Sequence, residues 1–515
     1  MASVCLNPWE KTVPLNAETS PARAGRAEAP TVVVAPDPKR WFALAVISVC
    51  QLMLVLDSSI MNIALPHAQH ALGISDADRQ WVVTAYTLGF GGLLLLGGRV
   101  ADFVGRKRVF IAGLLGFAVA SALGGIANNG PLLYASRGLQ GVFAAAMAPA
   151  ALSLLTTTFT EPRERARAFS VYGGISGGGA ALGLVLGGLL TQYASWRWCL
   201  LVNVPIALVT AAAAGYLLRE SRATGITRYD LRGALLATAG LTALVYGFAN
   251  AGTHGWASPS TVAVLVGAVV LLVVFFTVEA GNEHALLPLR LLRNRDRAGA
   301  YLTATLSAAG LLSMFLFLTF YLQGTLGYSA LRTGVAFLPF SLGVAAGAAI
   351  AGRVLPRVGP RVPLAAGSAF AGLGLVWFSQ VGVGSSFLVH VLPGEILASV
   401  GLGLVFVTVS SAGLIGVGRD DAGVASALVN TTQQIGGALG TAILSTVAFT
   451  RAADYATSHN PTPQLPLFAA VDGYQAAFLV GAIIATIGLV ATLTMVPGGT
   501  AEALVADEAT EPAAA

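Results

Sequence analysis

The sequence predicts an all-α integral membrane protein of fourteen transmembrane helices: two six-helix halves with an extra helix pair between them. Three observations carry this. Of the 515 residues, 55% are hydrophobic and only 10% are charged, with a mean hydropathy of +0.75. A soluble domain has about 25% charged residues, so this chain lacks the polar side chains to coat a compact body and must meet a bilayer. Long apolar runs recur along the whole chain, and positive charge alternates between the loops that separate them.

A crossing helix needs about 20 apolar residues. That ruler gives the spans 41–64, 80–98, 108–127, 131–155, 168–190, 198–218, 231–250, 260–279, 299–322, 333–352, 362–381, 387–416, 424–448 and 475–496. Helices are required because backbone facing lipid must satisfy its own hydrogen bonds. A barrel would show short alternating segments instead. Residues 1–40 are polar and Pro/Ala-rich, with no cleavable signal, and read as a disordered cytoplasmic tail; the span 41–64 serves as the insertion signal. The expected organisation is a half at 41–218, an inserted pair at 231–279, a half at 299–496 and a cytoplasmic tail at 497–515.

Topology follows from charge. Of the 29 Lys and Arg, 24 fall in the N-terminal tail and the loops after every second span. Only Arg79, Arg197, Arg332 and Arg451 fall in the opposite loops, and Arg137 lies inside a span. One missed helix would ruin the alternation, so it supports both the count and cytoplasmic termini in a plasma-membrane protein. The same clustering assigns the net charge of +5 to the membrane and excludes nucleic acid as a partner.

The chain also repeats itself. Gly98-Arg99-Val100 is followed by Val104-Gly105 and Lys107; Gly352-Arg353-Val354 is followed by Val358-Gly359 and Arg361. Both copies fall between the second and third helix of a half, which points to internal duplication, a common construction of secondary transporters.

Five motifs stand in order. The first span holds Leu56-Asp57-Ser58-Ser59-Ile60-Met61-Asn62-Ile63-Ala64-Leu65-Pro66, and the loop after the second runs from Gly98 to Lys107. The fourth span holds Arg137-Gly138-Leu139-Gln140-Gly141, the fifth Gly179, Gly183, Gly187 and Gly188, and the sixth opens on Trp196-Arg197-Trp198 and Asn203-Val204-Pro205. Together they resemble the fourteen-helix drug:proton antiporter branch of the major facilitator superfamily, over the helical region but not the tails. The resemblance implies proton-coupled export of hydrophobic or cationic small molecules such as drugs or antibiotics. It also implies a gating role for Gly98, Asp102, Gly105 and Arg106. The chain departs from the family pattern at Leu184, where the fifth-helix motif has Pro, and at Pro356, which replaces the carboxylate of Asp102 in the second loop copy.

Ionisable residues inside a membrane are costly and mark function. Three lie within the spans: Asp57, Arg137 and Glu395. At 1.5 Å per residue, Asp57 lies about 24 Å along its helix, with Arg137 about 9 Å and Glu395 about 12 Å from the outer ends of theirs. Asp57 is expected to bind the coupling proton or a cationic drug, with Arg137 tuning it; the alternative is a wetted Asp57 that only orients its helix. Glu395 reads equally as a second proton or cation site and as a snorkelling acid at the interface. The glycines of the fifth span suit close packing or gating. Phe317, Tyr321, Gln323, Asn430 and Gln434 offer the aromatic and amide mixture of a pocket for bulky compounds.

Other classes fit less well. None of Lys11, Lys39 and Lys107 sits in a phosphate-binding loop, so an ATP-driven pump is excluded. No catalytic or metal constellation stands out; His67 and His70 near Asp76 and Asp78 read as a polar outer loop. The expectation is a transporter, not an enzyme, needing no cofactor because the proton gradient drives it, with an uptake symporter or a membrane-embedded enzyme or sensor as alternatives.

Overall fold

A computed structural model describes residues 39–496 and 498, except 160, 223–229, 283–284, 286, 288 and 414–421. The predicted tails, Lys39, Arg40 and Gly498 apart, lie outside the described residues. Every regular element among those described is helical.

In chain order these are α1 (Arg40–Leu72), α2 (Trp81–Val104), α3 (Arg106–Gly125), α4 (Gly130–Thr158), α5 (Pro162–Tyr193), α6 (Trp198–Leu201), α7 (Asn203–Leu217), α8 (Leu231–His254) and α9 (Pro259–Ala280). They continue with α10 (Arg290–Arg293), α11 (Arg295–Phe320), α12 (Ala330–Ala336), α13 (Leu338–Val358), α14 (Arg361–Phe378), α15 (Leu392–Ala412), α16 (Ala422–Ser458) and α17 (Leu465–Met495). A π-helical turn ends α11 at Tyr321–Thr325, and another precedes α15 at Phe387–Val391.

The starts and breaks follow local chemistry. Asn129, Asp230, Asn294 and Ser329 accept backbone N–H bonds at the starts of α4, α8, α11 and α12, each supplying a partner for an otherwise orphaned donor. Gly73 ends α1 in the left-handed conformation, where glycine carries no Cβ penalty. The predicted span 198–218 is interrupted for one residue at Val202, three residues before Pro205, and 333–352 at Phe337, two before Pro339, and each still runs on as one crossing segment. Helix α1 outruns its predicted end at 64 and continues through Pro66, because Ala68 on the far side is packed at 0% exposure.

Twelve helices are long and apolar enough to cross a membrane among the described residues. The two arms of α2, bent by 54°, pass together as a thirteenth. Helix α5 has only Gly179–Tyr193 as an apolar stretch; glycine adds little hydropathy, and its first turns carry Arg163, Glu164, Arg165 and Arg167.

The first half packs α1 on α5 and α7, α2 on α4, and α3 on α4 and α7. The second packs α11 on α16 and α17, α13 on α15, and α14 on α15 and α17. Helices α8 and α9 form a hairpin whose α8 touches α2 and α16, so the inserted pair bridges the halves. We call the end of the bundle holding Lys39 and Val496 the terminal end, and the other the distal end. At the distal end the halves close on each other. Gln323 Nε2 donates to the Ile63 carbonyl (3.0 Å), the Leu331 N–H donates to Gln192 Oε1 (3.2 Å), and the Arg79 guanidinium lies 3.9 Å from the Phe320 ring centre.

Candidate functional site

Asp57 and Arg137, 80 residues apart, meet in the core of the first half. Arg137 Nη1 donates to Asp57 Oδ2 at 2.6 Å, and the exposures are 0% and 2%. The other carboxylate oxygen, Oδ1, accepts from Gln140 Nε2 (2.9 Å) and Asn203 Nδ2 (2.7 Å). Gln140 also accepts from Arg137 Nη1 (2.7 Å) and donates to Ser121 Oγ (2.7 Å). Arg137 Nε donates to the Val82 carbonyl (3.1 Å), and the guanidinium sits 4.4 Å from the Tyr86 ring centre. One charge-balanced cluster thus ties α1, α2, α3, α4 and α7 together. A buried ion pair survives desolvation only when its remaining lone pairs and protons are satisfied, and here both carboxylate oxygens are. At 0% exposure Asp57 does not fit the wetted alternative.

Helical spacing explains the convergence. Arg137 and Gln140 stand one turn apart on one face of α4, and Gly141 lets α2 lie close, against the Tyr86 carbonyl and the Phe90 N–H. In the sequence, Gln140 and Asn203 stand inside motifs that assign them no role. The i+3 position of Gln140 was the available signal for one; nothing local marked Asn203, Ser121 or Tyr86.

Glu395 is elsewhere, in the second half, on the first turn of α15. It is 0% exposed, so it is no snorkelling acid, and both its oxygens lack a hydrogen-bond partner.

The loop between α2 and α3 lies at the terminal end. Asp102 Oδ1 accepts from Arg106 Nε (2.9 Å) and Nη2 (2.8 Å). Gly105 stands at φ +125°, and a Cβ there would strike the Glu220 carboxylate. Glu220 caps α3 from 113 residues away, accepting the Lys107 and Arg108 N–H groups at 3.1 and 3.2 Å. In the second copy Gly359 also has positive φ, +72°. There Arg361 donates to the Leu493 carbonyl instead of a carboxylate. Beside the first loop, Arg40 grips Glu164 with two bonds, at 2.9 and 2.7 Å. These bonds hold the Glu164 carboxyl below its usual range.

The glycines of α5 serve two neighbours. Gly179 faces Leu52 and Val55, Gly183 faces Ser59 and Gly187 faces Ile60, so a stripe of three glycines at four-residue spacing receives α1. Gly188 turns to Ala330 and Leu331 of the other half. Helix α5 runs unbroken through Leu184.

The five pocket candidates are not brought together. Phe317 and Tyr321 are buried in the second half; Phe317 packs against Tyr474 and Phe478, and the Tyr321 hydroxyl donates to the Gly382 carbonyl. Gln323 belongs to the distal closure. Asn430 is exposed on α16, and Gln434 lies on the same helix against Gly91 of α2. Asp76, in the polar loop after α1 at the distal end, accepts from Gln69 (2.7 Å) and Arg79 (3.1 Å).

Residues 47–441 match the family described as Major Facilitator Superfamily. A puromycin resistance protein of Streptomyces alboniger is 49% identical over 456 residues, covering 88% of this chain and 90% of that one. A cephamycin export protein of Amycolatopsis lactamdurans is 40% identical over 409 residues, covering 79% and 84%. A crystallised bacterial homologue of the human lysosomal transporter Spinster, in an inward-facing conformation, superposes with a TM-score of 0.63 at 15% identity, covering 93% of this chain and all of that one.

Proposed function

This chain belongs to the Major Facilitator Superfamily, and we propose that it exports an antibiotic-like small molecule from the cell in exchange for protons. The substrate class is supported by the relatives that confer resistance to puromycin or export cephamycin. Charge alternation supports fourteen crossings, with the bent α2 and the glycine-rich α5 among them, and a cytoplasmic terminal end in the plasma membrane. The distal closure then seals the outer side, leaving the cytoplasmic side as the one from which cargo enters. No cofactor or nucleic acid has a part; the proton gradient is the driver.

The observation that carries the coupling is the saturated, fully buried ion pair of Asp57. Protonating Asp57 removes the charge that holds Arg137, Gln140 and Asn203 around it. A proton arriving there therefore weakens the ties of α1 to α4 and α7 at once, while the glycine stripe of α5 leaves α1 a smooth neighbour to move against. Binding energy that differs between two packings is what shifts such an equilibrium.

The test uses inside-out vesicles with an acid interior, following interior pH as puromycin and a panel of other antibiotics are added. Wild-type protein is expected to release protons with at least one compound, and Asp57→Asn with none. If no compound moves protons in the wild type, export by proton exchange is wrong and uptake becomes the leading reading.

A further inference from the structure

Helix α2 carries no proline, yet its arms Trp81–Leu94 and Leu96–Val104 meet at 54°. Sharp bends without proline arise at glycine pairs or where a foreign side chain enters the hydrogen-bond ladder. Both causes are present here. Gly91 and Gly92 stand just before the bend, and Thr238 of α8 donates its hydroxyl to the Gly92 carbonyl at 3.0 Å. In a regular helix that carbonyl takes the N–H four residues on, which belongs to Leu96, the first residue of the terminal arm. Thr238 thus reaches a carbonyl that links the two arms.

Other threonines of the bundle behave differently. Thr87, Thr242, Thr305 and Thr408 return their hydroxyls to the carbonyl four residues back in their own helices, the common outlet for a hydroxyl inside a helix. Thr238 crosses to another helix instead, over a glycine whose missing side chain permits the approach; a Cβ there would lie 3.6 Å from the Thr238 methyl. The rest of α8 rides on the second half. Its Phe248 carbonyl accepts from Thr446 of α16 (3.1 Å), and Val245 packs with Ala438 and Ala442. Toward the terminal end, Leu236 and Ala237 pack on the cluster that includes Tyr301, Leu364 and Val405. On α2, by contrast, α8 meets the distal arm: the Trp81 and Tyr246 rings are 6.0 Å apart, and Thr238 meets Gly92 beside the bend. A small apolar cavity lined by Gly91, Gly92, Leu241 and Ile435 lies where α2, α8 and α16 come together, so packing does not lock α2 there.

We propose that α8 is a splint on α2: anchored to the second half, it holds the bend through Thr238 and so aims the terminal arm, on which Gly98 and Asp102 stand. Without the hydroxyl, the Gly92 carbonyl has only the ladder N–H to take, and the arm straightens. The arm Leu96–Val104 is about 12 Å long at 1.5 Å per residue, so full straightening displaces its end by about 11 Å. The inserted pair then does more than fill the seam between α2 and α16. It ties the setting of the α2–α3 loop in the first half to the position of the second half. Neither the cargo nor the direction of transport enters this device.

The experiment uses the full-length protein in detergent with spin labels at Val104→Cys, on the end of the terminal arm, and Leu235→Cys, on α8; both positions are exposed. Cys5 is replaced by Ser, and the buried Cys50 and Cys199 stay in place. Pulsed electron resonance reads the separation of the labels. Thr238→Val keeps the shape of the side chain and loses its hydroxyl. It is expected to populate a component displaced by up to about 11 Å, and to raise the ratio of that component to the bent one about fivefold, the worth of one hydrogen bond. Thr238→Ser keeps the hydroxyl and loses the methyl, and is expected to match the unsubstituted protein, which separates the bond from a packing defect. A Thr238→Val protein with an unchanged distance distribution overturns the proposal. So does a Thr238→Ser protein that shifts as far as Thr238→Val.

Discussion

Arg137 is the residue on which the first half depends. Replacing it with Ala strands Asp57 as a buried, unpaired carboxylate, the situation that costs about 3–5 kcal/mol when one partner of a buried pair is removed. Arg137→Ala is therefore expected to lower the thermal unfolding midpoint in detergent sharply. Arg137→Ala combined with Asp57→Asn is expected to recover much of the loss, because the orphaned charge goes with it; a double variant no more stable than the single one would refute the charge account. The sequence marked both residues because intramembrane charge is rare. It did not show that they touch, nor that Gln140 and Asn203 complete the shell, because 80 and 146 residues of chain separate Asp57 from Arg137 and Asn203.

At the scale of elements, glycine has two different uses, and substitution separates them. Gly183 on α5 lies against Ser59 and the Leu56 carbonyl, so a Cβ there pushes α1 away. Gly267 on α9 has open space around it. Gly183→Ala is expected to destabilise, while Gly267→Ala, free of neighbours, is expected to be neutral or to gain up to about 1 kcal/mol from helix propensity. Thermal melts of the two variants check this; equal effects would mean that the stripe on α5 is not a packing surface. The spacing 179, 183, 187 was legible in the sequence as one face of a helix. The partner helix was not, since nothing in that spacing says what lies opposite. The interruptions at Val202 and Phe337 were also hidden, because a hydropathy ruler measures length and does not see a single residue leave the helical ladder inside one continuous apolar span.

For the whole molecule, the distal closure joins the halves through an apolar cluster that includes Ile60, Leu65, Leu184, Phe320 and Phe337, through Gly188 against Ala330 and Leu331, and through polar contacts of Gln323 on Ile63, Leu331 on Gln192 and Arg79 on Phe320. The polar contacts are the part that substitution removes without opening a cavity in the cluster. Arg79→Ala with Gln323→Ala is expected to raise the population opened at the distal end. Spin labels at His70 and Thr462, both exposed at that end, would read this as a longer-distance component in pulsed electron resonance. An unchanged distance distribution would place the closure elsewhere.

The sequence by itself determined the helical, membrane-embedded class, the two halves and the inserted pair as an expectation, the duplicated loop, and the short list of charges that had to matter. All of these rest on local quantities: hydropathy over 20 residues, the alternation of Arg, and recurring spacing. Tertiary structure alone decided that Asp57 is saturated while Glu395 is left without a partner, that Glu220 caps α3 from afar, and that Phe317 and Tyr321 belong to packing in the second half rather than to a pocket with Asn430 and Gln434. Those outcomes depend on how each helix is rotated and which neighbour it meets, and periodicity fixes a helix's faces without fixing what they face.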